Sequence, residues 1–161
     1  MNLEKIRRII IEPALDLLPP GLGGNRAELM LLAIGLEESD FLERRPASGP
    51  ERGFWRMGPE DDMVGAVLRH PGTAPLAVAA CDLRSVPPIE ERVFAELEHD
   101  DLLAAVFARL RLHVEGERLP AVGEVAEAWD LYCRAWCPAT RDRRGWDRHY
   151  ARAMDALGVI A

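Results

Sequence analysis

Several residue types and patterns are scarce in this chain of 161 residues, and each scarcity excludes a class of protein. Cysteine occurs three times, and an odd number argues against a disulfide framework. β-Branched residues are few and strict apolar–polar alternation is absent, so no strong strand is predicted. No apolar run is long enough to span a membrane, and residues 1–8 are not followed by the apolar core and cleavage site of a signal peptide. These absences favour a helical chain without disulfides or a membrane span.

Composition and charge indicate a globular domain that is not a general nucleic-acid binder. Apolar residues make up 48% and charged residues 29% of the chain, which suffices for a core and excludes a disordered chain. The 20 basic and 27 acidic residues give a net charge of −7, the sign that nucleic acid repels. Cys133 and Cys137 lie one helical turn apart, but no His–Cys cluster completes a zinc set. We expect reduced thiols, no metal site and no cofactor.

Turn-forming residues divide the chain into two parts. Residues 3–18 are apolar at helical spacing, with Pro13 at a kink or break. The proline- and glycine-rich residues 19–24 form the clearest boundary. We therefore expect residues 1–20 to form an N-terminal helix and linker, and residues 25–158 to form the core.

The core segment is predicted to be helical almost throughout. Asn25, with Glu28 three residues later, fits a helix N-cap, and the helix that follows should extend to about Arg44. Turn formers dominate the next segment, which leaves room for a short β-hairpin within 45–60. Further helices are expected at about 60–69, 74–84, 88–98, 100–113, 121–137 and 144–157. The sequence thus predicts an all-α fold with one domain over residues 1–161.

Two adjacent glutamates near the end of the second predicted helix should have opposite environments. At about 100° per residue, Glu38 shares a face with apolar side chains, where desolvation would raise its pKa. Glu37 falls on the polar face and should be a solvated acid near Arg44. A carboxylic acid that keeps its proton in an apolar wall is what general-acid cleavage of a glycosidic bond requires. The alternative is a helix-end glutamate that is hydrogen-bonded to the following loop.

The residues around Glu38 form a recognisable pattern. The chain reads Glu38-Ser39-Asp40-Phe41 and, after a short interval, Ser48-Gly49-Pro50-Glu51-Arg52-Gly53-Phe54-Trp55-Arg56-Met57-Gly58-Pro59. This stretch resembles the signature of the soluble lytic transglycosylase and goose-type lysozyme family. In that family Glu-Ser-x-Phe closes a helix, and a glycine-containing loop ends in Gly-Leu-Met-Gln-x-x-Pro. Similar Gly-Phe-Trp segments occur in phage-encoded proteins of lysozyme-like fold. The resemblance covers residues 30–59 and implies a lysozyme-like helical fold.

The resemblance also implies a function and roles for individual residues. The reaction would be cleavage of the β-1,4 bond between N-acetylmuramic acid and N-acetylglucosamine in peptidoglycan, with Glu38 as the catalytic acid. Ser39 would support Glu38, and Gly53 would let the backbone approach the sugar. Phe54 and Trp55 would form the floor of the cleft. The protein would be made in the bacterial cytoplasm and then reach a virion or the periplasm.

Two departures from the family pattern support an alternative. Arg56 replaces the family's glutamine, a substrate-binding amide, by a cation without an acceptor. The family's later Tyr-Asn-Ala-Gly segment is absent, and Tyr132 is the nearest candidate for its tyrosine. The alternative is a phage structural protein, such as a head–tail adaptor or an ejected component, that keeps the fold with weakened activity. Its partners would be other virion proteins.

Three further clusters have structural and functional interpretations. The acidic residues at 96–101 should cap a helix, although Asp100 or Asp101 could serve as a water-activating base. Arg109 and Arg111 should lie on a solvated edge. The segment 134–152 carries six arginines against two aspartates together with Trp136, Trp146 and Tyr150. It could meet an anionic polymer, but its default role is to anchor the last helix to the core.

Overall fold

The computed structural model describes residues 2–138 and 142–158, and over these residues the regular structure is helical. The predicted all-α class is therefore confirmed. The elements are α1 (Leu3–Ile6), a π-helical segment (Arg7–Ile11), α2 (Glu12–Leu15), a 3-10 turn (Pro20–Leu22), α3 (Asn25–Ser39), α4 (Met63–Arg69), α5 (Ala74–Leu83), α6 (Glu90–Glu96), α7 (Asp101–Glu115), α8 (Val125–Trp136) and α9 (Arg143–Leu157). None of the helices within the described residues has the length and apolar character needed to cross a bilayer.

The N-terminal helical run continues through Pro13. The π-helical segment precedes it, and Pro13 itself lies in the first turn of α2, where a missing N–H is tolerated. Arg7 Nε donates a 2.5 Å hydrogen bond to Glu28 of α3. Asn25 is the first helical residue of α3 and Gly24 precedes it with φ +91°, so the predicted capping pair of Asn25 and Glu28 is wrong. Glu28 instead binds the N-terminal helix to α3.

Helix α7 forms the centre of the molecule. Its residues from Leu103 to Leu112 are all buried, and it contacts α2, α3, α4, α5 and α8. Asp100 caps its N-terminus by accepting a 3.0 Å hydrogen bond from the Leu103 amide. The prediction of a solvated edge is wrong, since Arg109 and Arg111 are only 2% and 9% exposed. Burial lowers the pKa of Arg109 to about 10, and its Nε donates to the carbonyl of Leu22 at 2.8 Å.

Helix α3 ends at Ser39, earlier than the predicted end near Arg44. Asp40 and Phe41 both adopt left-handed backbone conformations, with φ of 51° and 53°, so the chain turns back. The Phe41 ring then lies over Gly35 so closely that an added Cβ there would stand 2.1 Å from the ring. Gly35 thus permits the turn that leaves Glu37 and Glu38 on the last turn of the helix.

The loop after α3 contains one antiparallel bridge, between Arg52 and Met57, and no longer strand pairing among the described residues. The two residues exchange hydrogen bonds of 3.0 and 3.1 Å. Gly53, with φ +77°, opens the turn between them and packs against the carbonyl of Leu97, which an added Cβ would meet at 3.0 Å. Edge-to-face contacts join the three aromatic rings of this region, Phe41, Phe54 and Trp55.

Helix α9 packs on α3 and α8. Trp146 is fully buried, and Trp136 and Tyr150 are 5% and 3% exposed. Arg143 pairs with Asp147 on the same helix and Arg152 pairs with Asp40, the residue after α3, whereas Arg141 lies outside the described residues. The aromatic residues of this segment therefore anchor the last helix to the core, which was the default interpretation.

Candidate functional site

Glu38 lies in a groove of about 900 Å³ between the end of α3, the 46–61 loop and the end of α8. A volume of this size is within the range of ligand-binding pockets. The described lining residues include Glu37, Glu38, Glu43, Pro50, Glu51, Arg56, Gly58, Glu60, Asp61, Tyr132, Trp136 and Cys137. Among the described residues, the groove therefore combines six carboxyl groups with one arginine and two aromatic side chains.

The pKa of Glu38 is raised from its ordinary value of 4.5 to about 7. Burial is the largest cause, because it disfavours the charged carboxylate, and the neighbouring Glu37 and Glu51 charges act in the same direction. The hydrogen bond from Tyr132 and the charge of Arg56 oppose the shift. The balance leaves a carboxyl group that titrates near neutral pH.

Tyr132 fixes the position of the Glu38 carboxyl group. Its hydroxyl donates a 2.5 Å hydrogen bond to Glu38 Oε1. The Tyr132 ring is stacked on Trp146, with centroids 5.0 Å apart and planes 7° from parallel. Trp146 Nε1 donates in turn to the carbonyl of Val125 at 3.2 Å. Burial and the adjacent Glu38 raise the pKa of Tyr132, so the phenol keeps its proton and stays a donor.

Ser39 acts on the backbone beside Glu38. Its hydroxyl donates to the carbonyl of Phe54 at 2.7 Å, lies 3.2 Å from the carbonyl of Gly35, and accepts from the amide of Phe41 at 3.1 Å. These contacts join the end of α3 to the loop that forms one wall of the groove. Ser39 therefore supports the geometry around Glu38 through the backbone.

Phe54 and Trp55 lie in the core, at 2% and 1% exposure, behind the groove wall. Trp55 Nε1 donates to the carbonyl of Leu31 in α3 at 2.8 Å. Trp136 Nε1 donates to the carbonyl of Trp55 at 2.7 Å. Gly53 is also buried, against the Leu97 carbonyl. The structure thus places these three loop residues under the site, where they hold the loop against α3 and α8.

Arg56 is one of the loop residues that line the groove. Its φ of 51° is left-handed, a conformation that non-glycine residues adopt rarely. Its Nη1 is buried and finds no hydrogen-bond partner among the described residues. Burial lowers the pKa of Arg56, while the charges of Glu43, Glu38 and Glu51 act against that change. Arg56 is therefore a cation that faces three carboxyl groups with an unused donor.

Glu37 is neither solvated nor paired with Arg44, so that prediction is wrong. Its Oε2 lies 2.6 Å from Nδ1 of His149 in α9, and the two side chains are only 14% and 17% exposed. A carboxylate can only accept, so Nδ1 carries the proton of this contact. Sequence reasoning missed His149 because it lies 112 residues away, and helical periodicity gives no contact across such a distance.

The candidate base residues lie at another place. Asp101 forms a bidentate pair with Arg44, at 2.7 and 2.8 Å. Asp100 binds Arg84 at 2.7 Å and caps α7. Both carboxylates thus have structural partners, and the capping interpretation of this cluster describes their positions.

The arrangement brings together a carboxyl group that titrates near neutral pH, a phenol that orients it and an open groove. Glu38 can donate a proton to a bound oxygen atom and later accept one, which is the behaviour of a general acid–base group.

Comparison of the chain with protein-family models, with curated proteins and with solved structures gave no match.

Proposed function

We propose that this chain cleaves the glycan strand of peptidoglycan, as a muramidase or lytic transglycosylase encoded by a phage or prophage, with a lysozyme-like fold. The observation that carries the proposal is the environment of Glu38. It combines a pKa of about 7, a 2.5 Å hydrogen bond from Tyr132 and a position in a groove of about 900 Å³. The resemblance of residues 30–59 to the transglycosylase signature supports the substrate class.

In the proposed reaction, Glu38 protonates the oxygen of the β-1,4 bond as the bond to the muramic acid carbon breaks. The acetamido group of the sugar stabilises the positive charge that develops at that carbon. The Glu38 carboxylate then accepts a proton from an attacking hydroxyl group, which belongs to the same sugar in a transglycosylase and to water in a muramidase. The proton returns to Glu38, so each cycle regenerates the acid.

Tyr132 serves this cycle by holding one oxygen of the carboxyl group. Because its hydroxyl donates to Oε1, the other oxygen is the one that can carry the proton towards the substrate. A donor also favours the ionised form that follows proton transfer. Tyr132 thereby supports Glu38 from helix α8, and it is the nearest candidate for the tyrosine of the family's later segment.

Arg56 favours the second candidate, a virion structural protein with weakened activity. Its charge lowers the pKa of Glu38 and so reduces the fraction of protonated acid near neutral pH. Its unused Nη1 donor could bind a substrate oxygen instead, in place of the family's amide. The two candidates therefore differ in whether Arg56 leaves enough acid for turnover.

The test is to incubate purified peptidoglycan with the protein and to analyse the soluble products by mass spectrometry. A transglycosylase releases products with an anhydro sugar, and a muramidase releases products that are heavier by one water. Either product from the wild type, together with loss of products for Glu38→Gln, supports the enzyme. Equal release from both proteins would contradict the role of Glu38. If neither protein releases products, the virion candidate is favoured.

A further inference from the structure

Helix α9 contacts Glu37 directly, and it contacts Glu38 through the tyrosine that binds this glutamate. His149 pairs directly with Glu37 at 2.6 Å, and Trp146, one turn earlier, stacks on the tyrosine that binds Glu38. Gly145 lies close as well, since an added Cβ would stand 3.6 Å from Glu37 Oε1. The carboxyl group of Glu37 is thus held on α9, while that of Glu38 is held on α8.

We propose that His149 is a positioning residue of the Glu38 site, which acts through Glu37 to set the pH range over which Glu38 keeps its proton. The inference deepens the proposed function. Of its two tests, an NMR titration and a pH–activity profile, only the second rests on that function. His149 does not line the groove, so it does not belong to the substrate contacts.

The physical basis is the compensation of a neighbouring charge. A charged Glu37 disfavours ionisation of Glu38, because two like charges are then adjacent at the end of one helix. The imidazolium form of His149 offsets the Glu37 charge, whereas the neutral imidazole does not. Loss of the imidazole from this contact should leave Glu38 exposed to more of the Glu37 charge and so favour its protonated form.

Other charged groups that face Glu38 do not reproduce this effect. Arg56 and Glu51 of the loop act in opposite directions on its pKa, and the hydroxyl of Tyr132 in α8 lowers it. A second ion pair joins Arg152 of α9 to Asp40, the residue that follows the end of α3, at 3.2 Å. That pair holds the same end of α3 against α9 without contacting either glutamate, so it supplies a matched control.

The experiment titrates the Glu38 carboxyl group by carbon-13 NMR, with Glu38→Gln used to assign its signal. His149→Gln should raise the midpoint of Glu38 by about half a pH unit or more, less than the largest shifts from a nearby charge because His149 acts only through Glu37. Glu37→Gln should lower the midpoint. In the Glu37→Gln background, His149→Gln should have no further effect. Arg152→Gln should leave the midpoint unchanged.

Two results would overturn the inference. The first is a Glu38 midpoint in folded His149→Gln that equals the wild-type midpoint. The second is a shift of the Glu38 midpoint by His149→Gln that is equally large whether or not Glu37 has been replaced. His149→Lys keeps a cation at this position and should hold the midpoint at or below the wild-type value. If His149→Gln does not fold, as shown by its near-ultraviolet circular dichroism, His149→Lys and Glu37→Gln decide, and an upward shift in either contradicts the inference.

The pH–activity profile on peptidoglycan provides the second readout. The alkaline limb of the profile should shift to higher pH in His149→Gln and to lower pH in Glu37→Gln, in parallel with the NMR midpoints. If the midpoints move as expected and no variant, including the wild type, cleaves peptidoglycan, the proposed function fails and the inference on His149 stands. If cleavage is present and the midpoints do not move, the inference fails alone.

Discussion

Replacement of Glu38 by glutamine should change how the stability of the protein depends on pH. Glutamine has nearly the same shape, and its amide oxygen can still accept the hydrogen bond from Tyr132. It has no proton to lose, so the variant removes the titration and leaves the packing. The comparison needs no substrate and tests the environment of Glu38 directly.

The magnitude follows from linkage between protonation and folding. The pKa of Glu38 is 4.5 in an ordinary environment and about 7 in the folded protein. Between these values the folded state binds a proton that the unfolded state has released, so stability falls as the pH rises. One unit corresponds to about 1.4 kcal/mol, and the full shift therefore amounts to about 3 kcal/mol. This contribution is fully present below pH 4.5 and is lost as the pH rises through about 7.

The assay is denaturant unfolding, followed by tryptophan fluorescence, at a series of pH values from about 4 to 8, which span the two pKa values. The wild type should lose about 3 kcal/mol relative to Glu38→Gln over this range, with most of the loss between pH 4.5 and 7. Glu43→Gln, at an exposed position of the same groove, should keep the wild-type dependence. A difference between wild type and Glu38→Gln that does not vary with pH would refute the assigned environment of Glu38.

Three further variants test residues in and near the groove. Arg56→Gln removes a charge that lowers the pKa of Glu38, so the alkaline limb of the pH–activity profile should move upward; an unchanged limb would count against this contact. Gly35→Ala should destabilise the fold by about 1–3 kcal/mol in denaturant unfolding, because the new methyl group overlaps the Phe41 ring. A bulky thiol reagent on Cys137, which is exposed at the groove, should block cleavage, and Cys137→Ser should be insensitive to the reagent.

The helices could be predicted because their signals are local. Apolar periodicity and turn residues predicted α5 at 74–84, where it is Ala74–Leu83, and α9 at 144–157, where it is Arg143–Leu157. The end of α3 could not be predicted in the same way. The residues after Ser39 are compatible with a helix, and the chain turns there because the Phe41 ring packs back onto Gly35. Such an ending depends on tertiary packing rather than on local propensity.

The site could be predicted only in part, because only some of its signals are local. Periodicity placed Glu38 on the apolar face of α3, and burial is the largest cause of its raised pKa. The partners of the two glutamates come from α8 and α9, which lie 94 and 112 residues away in the sequence. The sequence suggested Tyr132 only through the family's tyrosine, and it gave no signal for His149. Contacts between distant helices depend on how the helices pack, which periodicity does not determine.

The role of Glu38 as the catalytic acid can be measured by the clearing of a purified peptidoglycan suspension, at a pH near the Glu38 pKa of about 7, with wild type, Glu38→Gln and Glu43→Gln. We expect that the wild type clears the suspension, that Glu43→Gln retains most of this activity and that Glu38→Gln loses it by at least about a hundredfold, the lower end of what a general acid contributes. Clearing by Glu38→Gln at the wild-type rate would contradict the assignment of Glu38 as the acid.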